Sequence, residues 1–270
     1  MRKILAAGVV AGACVVAVWA ADGRVATSPA GTAGEVQRRG APVQSYRVVK
    51  TFPHDPAAFT QGLVFVDGVF YESTGLEGES SLRKVEIATG KVLQKRAVDA
   101  KYFAEGLALV GSELLQLTWQ HKIGFVYDRT SFQQKRTFAY ATEGWGLAYD
   151  AKGGLVMSDG SDKLFWLDPK TQKVLKTVAV TDAGRPVPQL NELEWIEGEV
   201  WANVWTTDRI ARINPATGVV NAWVDFSSLW PQAQRTPPAD VFNGIAYDAA
   251  TKRIFVTGKK WPRLYQVEVK

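Results

Sequence analysis

The chain contains few of the residues that usually carry metal or redox chemistry. Its 270 residues include one cysteine and two histidines. Cys14 lies near the N-terminus and has no second thiol with which to form a disulfide. His54 and His121 are not at the spacing of a metal-ligand pair, and no nucleophile elbow accompanies them. A disulfide framework, a catalytic zinc site and a Ser-His-Asp triad are therefore not expected.

A strong charge of either sign is also missing. The formal net charge is +5, and two of the basic residues, Arg2 and Lys3, lie at the extreme N-terminus. No basic stripe with interleaved aromatic residues follows, so nucleic acid is not an expected partner. The prediction is a monomeric protein without a stable membrane partner.

The first twenty residues have the pattern of an export signal. A short basic region comes first, residues 4–17 are apolar, and Val18-Trp19-Ala20 fits the small-residue rule for cleavage. We predict a signal peptide over residues 1–20, a flexible linker over residues 21–44, and a periplasmic or secreted protein. An uncleaved N-terminal membrane anchor is the alternative, because the apolar run approaches spanning length.

Amphipathic helical periodicity is missing from the repeat region described below, which contains no such stretch of ten or more residues. Short apolar runs are instead separated by turn sequences, among them Asp168-Pro169, Asn214-Pro215 and Thr217-Gly218. Proline fixes φ in such turns and glycine supplies a positive φ, as in β-hairpins. The pattern predicts an all-β chain.

One short motif occurs five times at nearly regular intervals. Each copy places a polar or aromatic residue before Gly-Leu or a near equivalent, and the intervals are 44, 40, 46 and 52 residues. This spacing is close to the length of one β-propeller blade. Because the innermost strands of a propeller surround one axis, we expect the first residues of the five copies to face one channel. These residues are Gln61, Glu105, Trp145, Asn191 and Asn243.

The last strand-like segment, residues 264–269, leaves the fifth blade one strand short. Residues 45–52, just before the first blade, have the composition of the missing strand. An N-terminal strand in this place would close the ring and remove its exposed edges. We therefore predict that residues 45–270 form a five-bladed β-propeller closed by the N-terminal strand.

Glu105 is the single acidic residue among the five leading positions. Its neighbours in sequence are apolar, aromatic or small, and burial among them would raise the pKa of the carboxyl. A carboxyl of this kind can accept and donate a proton near neutral pH. Trp119, Trp205 and Lys259, at the ends of second strands, are expected at the same channel mouth. A structural carboxylate with satisfied hydrogen bonds is the alternative for Glu105.

Seven sequence segments extend over almost the whole predicted propeller: 59–63 (FTQGL), 72–76 (ESTGL), 102–107 (YFAEGL), 144–147 (GWGL), 190–194 (LNELE), 198–203 (GEVWAN) and 253–259 (RIFVTGK). In residue type and in order they resemble the motifs of plant-type glutaminyl-peptide cyclotransferases, a family that also occurs in bacteria. The resemblance implies a five-bladed propeller. It also implies an enzyme that converts the N-terminal glutamine of peptides or proteins to pyroglutamate and releases ammonia.

By this resemblance Glu105 is the general acid and base, which moves a proton from the attacking α-amine to the leaving ammonia. Gln61, Asn191 and Lys259 would bind the amide oxygen as it gains negative charge. The scheme requires no cofactor and no metal, and a structural calcium ion in the channel is left as an alternative. The substrate pocket implied by the resemblance consists of Phe59, Gln61, Trp119, Trp145, Asn191, Trp205 and Lys259.

Two other functions are compatible with a propeller of this kind. One is a non-catalytic periplasmic propeller that binds peptides or scaffolds an envelope complex. The other is a calcium-dependent lactonase, for which several channel acids would be needed as metal ligands. The five leading positions supply one acid, which favours the cyclase over the lactonase.

Overall fold

The computed structural model describes residues 39–270, which form strands over most of their length. One short 3-10 helix, Gln232–Gln234, lies in this range. Within the described residues no helix is long and apolar enough to span a membrane. The predicted signal peptide and the predicted linker up to residue 38 lie outside the described residues.

Five of the β-sheets are blades that follow one another along the chain. Their first strands contact one another in a closed ring, β3 with β7, then β11, β17 and β21, and β21 again with β3. The five-bladed propeller predicted from the repeats is confirmed.

In chain order the strands are β1 (Val43–Gln44) and β2 (Tyr46–Pro53); β3 (Thr60–Val66), β4 (Val69–Thr74), β5 (Ser81–Glu86) and β6 (Val92–Ala97) of blade one; β7 (Ala104–Val110), β8 (Glu113–Thr118), β9 (Ile123–Asp128) and β10 (Gln134–Ala139) of blade two; β11 (Leu147–Asp150), β12 (Gly154–Ser158), β13 (Lys163–Leu167) and β14 (Val174–Ala179) of blade three; the hairpin β15 (Thr181–Asp182) and β16 (Arg185–Pro186); β17 (Leu190–Ile196), β18 (Glu199–Val204), β19 (Arg209–Ile213) and β20 (Val220–Asp225) of blade four; and β21 (Phe242–Asp248), β22 (Arg253–Gly258) and β23 (Arg263–Val269) of blade five.

The N-terminal segment closes the ring by joining two blades. β2 pairs antiparallel with β23 along its length, which confirms the predicted fourth strand of blade five. β1 pairs in parallel with β20 of blade four. Val43 and Gln44 therefore belong to the propeller, and the predicted linker, drawn up to residue 44, was too long. A two-residue strand is too short to leave an alternating pattern in the sequence.

A β-bulge lies near the start of the innermost strand in four of the five blades. In β7 the bulge falls at Glu105 and Gly106, between the pairs that Ala104 and Leu107 make with β8. A bulge inserts one extra residue, increases the local twist and changes the direction of a side chain. The leading residue of the motif is thereby turned out of the regular alternation of the strand.

The glycine of the motif lies where neighbouring innermost strands approach closely. A Cβ atom on Gly106 would lie 2.5 Å from the backbone nitrogen of Leu147. A Cβ atom on Gly146 would lie 2.0 Å from the carbonyl oxygen of Asn191. A larger residue at either position would push two blades apart, so glycine is required by the close approach.

In blade four the glycine of the motif is replaced by Glu192, which is buried. Its carboxylate accepts the backbone N–H of Leu63 in blade one at 3.3 Å and that of Ile245 in blade five at 2.8 Å. Burial and the nearby Glu194 carboxyl raise the pKa of Glu192 well above its usual range, despite these two hydrogen bonds. One side chain thus connects three blades where their innermost strands meet.

A buried ion pair links the closing strand to blades one and five. His54 follows β2; its Nε2 lies 2.9 Å from Oε1 of Glu72, and its Nδ1 lies 2.7 Å from the carbonyl oxygen of Trp261. Burial alone would lower the pKa of His54, but the Glu72 carboxylate, the carbonyl oxygen of Trp261 and the Asp55 carboxylate together outweigh burial, and the pKa is raised. Burial would likewise raise the pKa of Glu72, but His54, Arg83 and the Thr60 hydroxyl together outweigh burial, and the pKa is lowered. Each group therefore favours the charged form of the other.

We expect this pair to stabilise the propeller most between pH 4.5 and 6.5, the ordinary pKa values of the two groups. The stabilisation from His54 is complete below pH 6.5 and is lost as the pH rises through its raised pKa. The stabilisation from Glu72 is complete above pH 4.5 and is lost as the pH falls through its lowered pKa. Thermal unfolding of Glu72→Gln, followed by circular dichroism across this range, should show a lower midpoint and a flatter pH profile.

The expected loss in this variant is large, because breaking a buried pair typically costs about 3–5 kcal/mol. Glu79→Gln, which changes an exposed glutamate of blade one, serves as the matched control. A Glu72→Gln profile with the same shape and midpoint as the wild type would contradict the assigned role of the pair.

Candidate active site

A cavity of about 270 Å³ opens among the starts of the innermost strands, and all five blades contribute to its walls. Every residue predicted for the site lines it: Phe59, Gln61, Glu105, Trp119, Trp145, Asn191, Trp205 and Lys259. Phe103, Asp240 and Val241 complete the lining. A wider depression of about 810 Å³ lies among turns of blades three to five and contains none of the predicted residues.

Asn243, the fifth leading residue of the repeat, does not line this cavity, and the prediction for its position is wrong. Its Nδ2 donates hydrogen bonds to the carbonyl oxygen of Thr60 at 3.0 Å and to Oε1 of Gln61 at 3.3 Å. The next residue, Gly244, has a φ of +120°, so blade five begins its innermost strand with a backbone conformation that favours glycine. Asn243 therefore contacts Gln61 but is not part of the cavity lining.

Glu105 is buried in the cavity wall, with 5% of its surface exposed. Gln61 Nε2 donates a hydrogen bond to Glu105 Oε1 at 2.8 Å. Burial raises the pKa of Glu105 well above its usual range, while Lys259 acts to lower the pKa and Glu143 to raise it. The carboxyl therefore keeps its proton to a higher pH than an exposed glutamate does.

Lys259 places a buried cation in the same cavity. Its Nζ lies 4.8 Å from the centre of the Phe59 ring. Burial lowers the pKa of Lys259, and the Glu105 and Asp240 carboxyls oppose this lowering. Glu105 and Lys259 thus share one pocket, and each influences the ionisation of the other.

Asn191 is a further polar residue of the cavity that holds Glu105 and Lys259. Its Oδ1 is fully buried and has no hydrogen-bond partner among residues 39–270. The amide nitrogen Nδ2 is therefore the atom through which this side chain can reach a ligand. Most buried polar groups in proteins have a hydrogen-bond partner, and Asn191 Oδ1 is one of seven buried side-chain atoms without one among the described residues.

Five aromatic rings of the wall form two edge-to-face series. Phe59 contacts Phe103 with 5.9 Å between ring centres, and Phe103 contacts Trp119 at 5.8 Å. In the second series Trp145 contacts Trp205 at 5.6 Å. Edge-to-face pairs favour defined ring positions. The two series give the cavity an apolar wall beside the buried Glu105 and Lys259.

Four residues of this region were not predicted from the sequence. Phe103 stands two residues before Glu105 in a motif segment, and that segment could have indicated it. Asp240 and Val241 belong to the connection between blades four and five, which is not part of the repeat. Glu143, which bonds to two of the tryptophans, lies in a connection where no repeated pattern marks it.

The chain is similar to known proteins in both sequence and fold. A family described as glutamine cyclotransferase matches residues 17–269. A glutaminyl-peptide cyclotransferase of Arabidopsis thaliana is 46% identical over 232 residues, which cover 84% of this chain and 72% of that protein. The crystal structure of Myxococcus xanthus glutaminyl cyclase matches with a TM-score of 0.79 at 38% identity, covering 85% of this chain and 98% of that one.

The fold and the matching relatives together define an enzyme built on a five-bladed propeller. The chain belongs to the glutamine cyclotransferase family. The family resemblance found in the seven motif segments is confirmed, and so is the prediction that the protein is an enzyme of this family.

The opposing influences on Glu105 can be measured by titration. Lys259→Met removes the cation that lowers the pKa of Glu105, so this pKa should rise further. The carboxyl ¹³C resonance of Glu105 can be assigned by its absence in Glu105→Gln. We expect this resonance to report a pKa above 4.5 in the wild type and a still higher pKa in Lys259→Met. Lys260→Met, which changes the adjacent lysine, should leave it where it is. A Glu105 pKa that falls in Lys259→Met would contradict the assigned electrostatics.

Proposed function

We propose that the protein converts the N-terminal glutamine of peptides or proteins to pyroglutamate, with release of ammonia. The observation that carries this proposal is a buried carboxyl of raised pKa beside a buried lysine in one cavity of about 270 Å³. Pockets for drug-sized ligands typically measure about 300–1,000 Å³, so this one suits a single terminal residue. The family to which the chain belongs supports the same reaction.

The reaction is an intramolecular acyl transfer. The α-amine nitrogen of the glutamine attacks its own side-chain carbonyl carbon, a five-membered ring closes, and the bond from that carbon to the amide nitrogen breaks. The attacking nitrogen loses one proton and the leaving nitrogen gains one. Because both reacting groups belong to one residue, the enzyme has to hold the folded conformation and move that proton.

Glu105 is the group we assign to proton transfer. As a carboxylate it accepts the proton of the attacking amine, and as a carboxylic acid it donates that proton to the leaving nitrogen. Its raised pKa makes the carboxylate a stronger base than an ordinary glutamate. The hydrogen bond from Gln61 holds Oε1, which leaves Oε2 for the substrate.

Lys259 and Asn191 are assigned to the charge that develops on the carbonyl oxygen. This oxygen becomes negative in the tetrahedral intermediate, and preorganised donors in a cavity that excludes water stabilise it. Lys259 offers its ammonium group and Asn191 its Nδ2. Gln61 was expected to bind the same oxygen as these two residues. Because its Nε2 donates a hydrogen bond to Glu105, we assign Gln61 to orienting the Glu105 carboxyl.

We also propose that the enzyme is exported to the periplasm or secreted, and that it acts as a monomer without a cofactor. The basic, apolar and small residues in sequence over residues 1–20 support export. The proton balance of the reaction supports a mechanism without metal, because one carboxyl is sufficient. A non-catalytic propeller that binds peptides is the alternative function.

Replacing the acid is the most direct kinetic test. Glu105→Gln retains the size of the side chain but cannot carry a proton between the two nitrogens. General acid–base catalysis contributes roughly 100- to 10,000-fold, so kcat for ammonia release from Gln-Ala should fall by about that factor. Gln61→Ala and Asn191→Ala should lose less, since each removes one hydrogen-bonding group. A folded Glu105→Gln protein that works at nearly the wild-type rate would remove Glu105 from the mechanism.

A chelator separates this enzyme from the alternatives. Ammonia release from Gln-Ala should continue in excess chelator, because the proton and the oxyanion are assigned to side chains. Loss of activity that added zinc restores would contradict the proposal. No ammonia release under either condition would favour the peptide-binding propeller, and lactone hydrolysis that requires calcium would favour the lactonase.

A further inference from the structure

Glu143 makes a set of hydrogen bonds that the mechanism above does not use. It lies in the connection between β10 of blade two and β11 of blade three. Its Oε2 accepts hydrogen bonds from the indole nitrogen of Trp119 at 2.7 Å and from that of Trp145 at 3.0 Å. One carboxylate oxygen therefore holds two of the rings that line the cavity.

The backbone around Glu143 is fixed against the end of β8. The Gly144 N–H donates to the carbonyl oxygen of Trp119 at 3.1 Å, and the Thr142 hydroxyl donates to the carbonyl oxygen of Glu143 at 3.0 Å. A Cβ atom on Gly144 would lie 2.6 Å from the hydroxyl oxygen of Tyr140. The close packing of this glycine brings Glu143 within reach of both indoles.

An ion pair would be the other strong interaction open to the Glu143 carboxylate. Among the ion pairs formed by residues 39–270, none includes Glu143. Its second oxygen, Oε1, lies 3.5 Å from Nε2 of Gln120. The strong interactions of this carboxylate are therefore the two hydrogen bonds to the indoles of the cavity.

We propose that Glu143 is a positioning residue for cyclisation, whose carboxylate fixes the indoles of Trp119 and Trp145 as one continuous wall of the substrate cavity. The kinetic part of this proposal rests on the proposed function. Glu143 joins the two edge-to-face series described above, since one ends at Trp119 and the other begins at Trp145. In a cavity for one residue, a wall displaced by about 1 Å costs on the order of 100-fold in rate.

The same carboxylate also acts on Glu105 through space. The charged groups that influence the ionisation of Glu105 are Lys259 and Glu143. The Glu105 carboxylate in turn acts to raise the pKa of the Tyr140 hydroxyl. Glu143 raises the pKa of Glu105, so removal of its charge should move the acidic limb of the pH–rate profile to lower pH. This shift of the pH–rate profile can be measured independently of any displacement of the Trp119 and Trp145 indoles.

Two substitutions distinguish the two effects. Glu143→Gln keeps an oxygen that can accept both indole N–H groups but removes the charge, whereas Glu143→Ala removes both. Glu143→Ala should lower kcat/KM for Gln-Ala by about 10- to 100-fold, and Glu143→Gln should retain most of the activity. Both variants should move the acidic limb to lower pH. Glu77→Ala, which changes an exposed acid of blade one, should do neither.

The indole ¹H–¹⁵N resonances of Trp119 and Trp145 provide a readout that does not depend on activity. These N–H groups should be protected from exchange in the wild type and in Glu143→Gln, and should lose that protection in Glu143→Ala. Unchanged indole protection in Glu143→Ala, or equal losses of activity in the Gln and Ala variants, would overturn the proposal. A wild type that releases no ammonia would overturn the proposed function, while the resonances would still test the two hydrogen bonds.

Discussion

The close approach of the five innermost strands is the constraint on which the site depends. At Gly106 and Gly146 the backbone of the next blade lies where a Cβ atom would be, so the strands can meet only if these positions lack side chains. A bulge directly beside the glycine turns the preceding residue out of the strand. Four of the five leading residues, Gln61, Glu105, Trp145 and Asn191, which are 40 to 46 positions apart in the sequence, therefore line one cavity and determine much of its chemistry.

Burial shifts the pKa values of Glu105 and Lys259, which share the cavity, in opposite directions. It raises the pKa of Glu105 and lowers the pKa of Lys259, and the attraction between the two groups opposes both shifts. A carboxyl and an amine held in this way can change charge with little rearrangement of solvent. Such a site suits a reaction in which one proton is passed between two nitrogens while an oxygen becomes negative for a short time.

Most of the fold could be predicted from the sequence, because strands, turns and the repeat of the motif are local features. Glu105 was found from its place in the repeat, while the assignment of Phe59 to the pocket needed the family resemblance. Asn243 was misplaced, since the repeat does not encode the positive φ of Gly244. The short strand β1 and the bonds of Glu143 depend on partners distant in the fold or outside the repeat, so no periodic signal reveals them.

The central claim is that one carboxyl, Glu105, serves both nitrogens of the substrate glutamine. A crystal structure of Glu105→Gln with bound Gln-Ala would test it most directly. We predict that the α-nitrogen and the side-chain amide nitrogen lie within about 2.6–3.2 Å of the side chain at position 105, with the amide oxygen toward Lys259 and Asn191. A glutamine bound with its α-nitrogen out of reach of position 105 would contradict the account.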